Sequence, residues 1–539
     1  MFSRILTGAC ATAVAVLGFS LIQPLPASAA DATIAKQPWA KWDTDGKPVR
    51  GGTLRLASSL YIGKMNPNHW PVNDWVTLSR FMERIYINNG TYEPATPWLA
   101  ESLIFESPTV AVMKLRKGIT FHDGSPFNAS AIKHQFAWIT DKKSGAWTAG
   151  SVGPVAKIDV VDEHTVRWTL KHPWAGFEGM LATAPGYAMS EKALKGDQSA
   201  LDTNPVGTGA YMFDESSPDN FVKLKRNPNW WFAKASGNPD MPYFDNIVVS
   251  VIPDPAVRLA NLRAGKIDLL TLDKSQYQIA LKDPNLRVVK WPRNAMSGLR
   301  FNTTKGVFKD IRLRKAVSHA IDRKALIAGT QFGLGRIASA MYPGDHWGHN
   351  PNLKPIPFDP ALSKKLLAEA GHGDGLAIKG YMYNTSTGTI VAEAVKAMLT
   401  NVGIDWQVEL MPPPAAAEKM KSLDYDLALG GWSWIFDPDR MATGLYHPKG
   451  GFNFGRSNNP EIIELVEAGR KEIDRKKRQK IYWKLEEVVY NDYQDVFLWW
   501  EENAIAFNKN VMGWDNDAFL TYKDTYFMSH HLWFKDGKQ

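Results

Sequence analysis

Between Gly375 and Trp434 the apolar residues change period in a way that few folds accommodate. Leu376 to Tyr383 reads as a strand, and Val391, Ala394, Val395, Met398 and Leu399 then recur at helical spacing. Ile404, Trp406, Val408 and Leu410 alternate as a second strand, Ala415 to Leu423 suits a short helix, and Tyr425, Leu427 and Leu429 alternate into a third strand. The order β-α-β-α-β predicts a right-handed crossover unit with a parallel sheet, and hence an α/β fold. In open α/β sheets, ligands sit beyond the carboxyl ends of the strands, where loops and helix N-termini converge. Two segments are candidates on that ground: Asn384 to Thr387, and Trp432 to Arg440.

Other elements carry local stop and start signals. Leu313, Ala316, Val317, Ala320 and Ile321 mark a helix capped by Asp310, and Asp322 caps the next, with Leu326 and Ile327. Asn459-Pro460-Glu461 opens a further helix, and Ile481, Tyr482, Leu485, Val488 and Val489 mark another. Short strands punctuated by Gly and Pro fill the N-terminal half: Thr53 to Ala57, Val110 to Leu115, Thr165 to Leu170 and Ile247 to Ile252. With 539 residues and no internal repeat, the expectation is a large mixed α/β protein of two or three interwoven lobes.

The first residues follow a different pattern. Arg4 precedes an uncharged run from Ile5 to Ile22, which closes with Pro24, Pro26 and Ala27-Ser28-Ala29, so residues 1–29 read as a cleaved signal peptide; a membrane anchor is the alternative. The single cysteine, Cys10, leaves with that segment, so no disulfide framework or cysteine-based metal cluster is available. The formal net charge of +8 is thin over so long a chain, and no nucleic-acid partner is expected. The densest basic run, Arg470 to Lys480, falls in a helical pattern and reads as a solvated face. Export places the mature protein in the periplasm.

Catalytic signatures are missing: there is no Gly-x-Ser-x-Gly, no His-Glu-x-x-His and no Walker-type loop. Gly371-His372-Gly373-Asp374-Gly375 follows a helix and reads as its stop. His346 and His349 lie three apart but lack further ligands, so they read as a polar surface loop and no metal or other cofactor is expected. Asp437 and Asp439 flank Pro438, and read as turn formers or ligand anchors more readily than as a paired acid and base.

Several ordered segments resemble the extracytoplasmic solute-binding proteins of ABC importers, of the dipeptide/oligopeptide/nickel type (family 5). They include GGTLRLA (Gly51 to Ala57), Trp98-Leu99-Ala100-Glu101, VMKLRKGITFHDGSPFNA (Val112 to Ala129) and NPVGTGAY (Asn204 to Tyr211). LKRNPNWW (Leu224 to Trp231), YFDNIVVSVIPD (Tyr243 to Asp254), FKDIRLRKAVSHAIDRKALI (Phe308 to Ile327), Phe358-Asp359-Pro360 with LLAEAG (Leu366 to Gly371), and the Trp432 segment complete the series. The resemblance implies a non-catalytic receptor with a two-lobed, periplasmic-binding-protein-like fold that closes by a hinge on its solute and delivers it to a membrane permease. It implies a first lobe over residues 30–296 with an inserted subdomain at about 83–203, a second lobe over 297–505, and a return to the first lobe over 506–539. A monomer is expected.

Dipeptide readers of this family resemble one another in an Asp shortly after the Trp of the third-strand loop, which holds the α-amine, and an Arg two residues before a Tyr-Asn pair, which holds the carboxylate. Here Tyr381 precedes Tyr383-Asn384 and Ile435 follows Trp432-Ser433-Trp434, so both anchors are replaced. The candidate ligand-binding residues are therefore Trp432, Trp434, Asp437, Asp439, Tyr383, Asn384, Ser386, Trp347 and His346, with Tyr61, Asn66 and Trp70 after the first strand of the other lobe. Flat rings with amides and hydroxyls suit an oligopeptide or peptide-like solute, and also an opine or oligosaccharide. A secreted hydrolase using Asp437 and Asp439 is the reading from another class.

Overall fold

The computed structural model describes residues 46–88, 95–433, 435–514 and 527–537. The expected signal peptide lies outside the described residues.

The strands that organise the molecule are β1 (Thr53–Ser58), β2 (Tyr211–Ser217), β3 (Phe221–Arg226), β4 (Asn246–Val251), β5 (Leu269–Thr271), β6 (Leu286–Phe301), β7 (Gly335–Ile337), β8 (Leu376–Tyr383), β9 (Ile404–Met411), β10 (Leu427–Ser433) and β11 (Asp495–Asn508). Nine of them form one sheet in the order β10-β6-β11-β5-β1-β4-β3-β2, with β7 added on β11. Within it β1 runs parallel to β4 and β5, so the carboxyl ends of these three strands share one edge. In β1 the period of two is visible as burial of Leu54 and Leu56 against the half-buried Thr53, Arg55 and Ala57.

The long strands β6 and β11 pair antiparallel, with irregular register between Pro292 and Met296. The expected boundaries at 296/297 and 505/506 fall inside these two strands. Apolar cores gather on either side: one draws on Leu54 to Trp291 together with Ile505 to Phe534, and two others on Leu299 to Trp499 and Met296 to Trp500. A separate antiparallel sheet, in the order Ala100–Ser107, Val110–Leu115, Thr165–Leu170, Val155–Asp162, lies within the expected insertion.

The β-α-β-α-β segment forms with nearly the expected bounds, helices Ser386–Thr400 and Pro413–Ser422 joining β8, β9 and β10. Its pairing departs from a continuous parallel sheet. β8 and β9 are parallel, but β10 joins its ladder to β6, antiparallel. The cause is Trp406. Its buried indole donates to Leu427 O at 3.0 Å, taking the carbonyl a ladder partner would use. Gly380 makes room, since a Cβ there would lie 2.2 Å from the indole nitrogen. Among the described residues, only Asp426 N to Lys379 O, at 3.0 Å, ties the β10 end to β8 by backbone.

The expected helix caps form as read: Asp310 accepts from Arg312 N, Asp322 from Ala325 N and Asn459 from Glu461 N. Gly371 closes helix Pro360–Glu369 at φ +86°, as a stop requires. No helix among the described residues is long and apolar enough to cross a membrane.

Candidate functional site

The third-strand loop begins where Gly430 and Gly431 let β10 lie close on β6; a Cβ at Gly431 would come 2.5 Å from Met296 O. Trp432 follows, opposite Met296, with its ring edge-on to Phe452 at 5.0 Å. Its Nε1 is buried without a hydrogen-bond partner among the described residues. Trp434 lies outside the described residues.

Next in the chain, Asp437 caps helix α3 (Pro438–Tyr446) by accepting from Asp439 N. Both of its oxygens also meet Arg478, on helix Arg475–Asn491: Nη1 lies 2.6 Å from Oδ2 and Nη2 2.7 Å from Oδ1. Burial alone would lower the Arg478 pKa, but the carboxylate overrides it and leaves it raised. Arg478 therefore corrects the solvated-face reading of residues 470–480: the run breaks between Lys471 and Arg475, and the second helix turns this arginine inward. Asp439 is buried and accepts from Thr443 Oγ1 at 2.6 Å; burial, and then the Asp437 charge, push its carboxyl up.

His346 and Trp347 join this cluster, and neither histidine of the loop lies on the surface. The His346 ring stacks between Tyr342 and Trp347, with centroids at 5.1 and 5.9 Å. Its Nδ1 accepts from Gly348 N and its Nε2 donates to Phe436 O, which fixes a neutral tautomer; burial lowers its pKa to about 4. His349 pairs with buried Glu486 at 3.0 Å. Trp347 packs under Arg475 and Arg478, whose guanidinium carbons sit 4.9 and 5.4 Å from its ring. The loop is polar in composition but buried, because these charges and rings satisfy one another.

Tyr383 is half-buried against a small core containing Tyr381, Met411 and Tyr425, while Asn384 is exposed and its N–H donates to Met411 O. Tyr381 lies fully inside that core, its hydroxyl without a partner among the described residues. Ser386 opens its helix after the Thr385 cap; its side chain is outside the described residues. In the segment after β1, Tyr61 donates to Ser216 Oγ at 3.0 Å, Asn66 is buried as the acceptor of Asn68 N, and exposed Trp70 lies edge-on to Trp147.

The structure therefore brings His346, Trp347, Asp437 and Asp439 into one cluster around Arg478, leaving Tyr383, Asn384 and Tyr61 apart from it. Helix α2 (Phe177–Leu181), from the expected insertion, abuts the same cluster. Ala175 N donates to Arg470 O at 2.9 Å, and a Cβ on Gly179 would lie 3.2 Å from Asp437 Cβ. Glu178 faces this charge group; burial, then Asp437, raise its pKa, and Arg475 and Arg478 offset part of the rise.

A cavity of about 330 Å³ lies elsewhere, at the carboxyl ends of β1 and β5. Its walls include Ser58, Ser59, Asn73 and Thr271, the rings of Trp514 and Phe527, and the buried arginines Arg80 and Arg258. This is where the topology rule puts a ligand, applied to the first parallel set instead of the second. The sequence reading missed both arginines. The available signal was Arg80 standing between Leu78 and Phe81 in an apolar helical run.

An α/β molecule with one sheet running through two bodies of core, and a cavity at the strand ends, has the two-lobed architecture of periplasmic binding proteins. The chain belongs to the bacterial extracellular solute-binding proteins, family 5, whose profile (Middle region) matches residues 95–453. It is the solute-binding component of an ABC transporter and not an enzyme, and family 5 binding proteins are periplasmic. The hydrolase reading is thereby set aside, and physically both carboxylates it needed are engaged, by Arg478 and by Thr443.

Among similar proteins, glutathione-binding protein GsiB of Escherichia coli O1:K1 is 26% identical over 433 residues, covering 77% of this chain and 83% of the relative. The periplasmic binding protein DppA from Helicobacter pylori, solved with the peptide STSA, superimposes with TM-score 0.74 and 25% identity over 90% of this chain and 99% of that one. AgaA from A. tumefaciens R10, solved with agropinic acid, shares the fold at TM-score 0.73 and 23% identity, over 90% and 99% of the two chains.

Proposed function

We propose that the solute is an oligopeptide or peptide-like compound. The observation that carries this reading is the cavity at the ends of β1 and β5. Its 330 Å³ lies at the lower end of the roughly 300–1,000 Å³ of small-molecule sites, the size of a short peptide or conjugate. Hydroxyls of Ser58, Ser59 and Thr271 and the Asn73 amide offer partners to a main chain, and Trp514 and Phe527 offer an apolar wall to side chains. Glutathione and STSA, in the names of GsiB and DppA, belong to the same chemical class.

On this reading the second lobe contributes Trp432 and the Tyr383-Asn384 pair, and closure about β6 and β11 buries the solute. Asp437 and Asp439 are then positioning residues of the closing face. Residues 1–29 are a signal peptide, and the exported monomer delivers its solute to an ABC permease.

An opine is the second reading, favoured by the arginines of the cavity. Mass spectrometry of the compound that co-purifies with the protein tests both. A peptide or γ-glutamyl conjugate supports the first, an opine replaces it with the second, and a neutral oligosaccharide overturns both.

A further inference from the structure

We infer that Arg80 and Arg258 hold a carboxylate of the solute in the first-lobe cavity; the inference rests on the peptide-like reading above. Both arginines are buried, at 4% and 8% exposure, and both line the cavity. Arg80 donates from Nε to Ser529 Oγ and from Nη1 to Thr77 Oγ1, both at 3.1 Å, and its Nη2 makes no hydrogen bond among the described residues. Arg258 spends Nη1 on Ile252 O and Pro253 O, at 2.6 and 2.8 Å, leaving Nε and Nη2 unused among the described residues.

Other buried arginines of this protein show what is missing. Arg300 pairs with Asp495, Arg314 with Asp492 and Arg478 with Asp437. Arg323 has no carboxylate in ion-pair contact among the described residues and a buried, unpartnered Nη2, but it donates to four backbone carbonyls, more than either cavity arginine does. Arg80 and Arg258 have no carboxylate in ion-pair contact among the described residues. Asp74 and Asp273, which also line the cavity, spend hydrogen bonds capping their own turns: Asp74 accepts from Thr77, and Asp273 from Ser275. A buried cation without a paired anion is costly, and here the burial remains under-compensated. Burial lowers the Arg80 pKa to about 10 and that of Arg258 in the same direction, with Asp74 and Asp273 offsetting only part. A planar guanidinium with free N–H groups matches a carboxylate in geometry as well as charge. A peptide C-terminus and an opine acid both supply that group.

The test is native mass spectrometry and isothermal titration of the purified protein with a tripeptide library bearing free carboxyl termini, with the same library C-terminally amidated, and with agropinic acid. The free-acid library is expected to bind at least tenfold more tightly than the amidated one, and Arg80→Gln and Arg258→Gln each to remove that preference. Arg80→Gln also loses the Ser529 and Thr77 contacts and Arg258→Gln those to Ile252 O and Pro253 O, so the amidation comparison on the wild-type protein, with thermal melts of both variants, keeps the result independent of folding. Equal binding of the two libraries, or a preference that survives both variants, overturns the anchor while leaving the peptide reading in place. If neither library binds but agropinic acid does, and both variants lose it, the anchor stands and the peptide reading falls. Binding of none of these compounds overturns both.

Discussion

Arg478 grips Asp437 with two parallel hydrogen bonds, 2.6 and 2.7 Å long, across 41 residues of chain. The pair is nearly sealed, with side-chain exposures of 7% and 20%. It converts what looked like an available acidic anchor into a neutralised support for the loop that follows Trp432.

Removing the carboxylate strands a buried guanidinium. Asp437→Ala, which also removes the cap of α3, is expected to destabilise the second lobe by about 2–4 kcal/mol in urea unfolding. Asp437→Asn keeps a capping oxygen and should be milder. A large loss of solute affinity from Asp437→Asn with unchanged stability would instead mean that the carboxylate reaches the solute directly.

Trp432 combines a packed ring with a buried, unpaired indole N–H. Trp432→Phe keeps the contact with Phe452 and deletes the orphan donor, so stability should change by less than about 1 kcal/mol or rise. If the closing lobe uses this indole on the solute, affinity falls about fivefold, read by calorimetry of wild type and variant. Affinity that is unchanged removes Trp432 from the site.

Glu83 is fully buried and accepts hydrogen bonds from the indoles of Trp98, Trp230 and Trp231 and from Thr208, at 2.8 to 3.1 Å. Burial pushes its carboxyl up from 4.5 to about 7 despite those donors. With the folded pKa above the unfolded one, the folded chain binds more protons between these values, so stability is greatest below pH 4.5 and falls as pH rises through 7. The contribution is about 3 kcal/mol. Glu83→Gln should flatten this part of the stability profile, and an identical slope in the variant would refute the assignment.

Gly179 lets α2 approach the Asp437 cap, since a Cβ would sit 3.2 Å from Asp437 Cβ. Gly179→Val is therefore expected to oppose closure at a site remote from the cavity. Solute affinity should fall severalfold, and small-angle scattering should show a larger radius of gyration with solute bound. A variant as compact and as tight-binding as wild type would show that this contact does not govern closure.

Much of the scaffold was legible because its causes are local. Alternation gave Leu376–Tyr383 and Ile404–Met411, and the caps at Asp310, Asp322 and Asn459 are decided by a side chain and the N–H groups two or three residues on. The ordered motifs were enough to suggest the family. The same reasoning failed at Leu427, whose carbonyl is taken by an indole 21 residues away, so that β10 turns to β6.

The sequence by itself therefore determined the elements, since spacing and residue type act over a few positions, and its resemblance to family 5 implied the two-lobed class and the departure from a dipeptide reader's anchors. Only the tertiary structure decided which charges are spent and which remain. Asp437 and Arg478 neutralise each other, whereas Arg80 and Arg258 line a cavity with no carboxylate in ion-pair contact among the described residues, because a charge's partner and its exposure to water are set by the packing of segments distant in the chain.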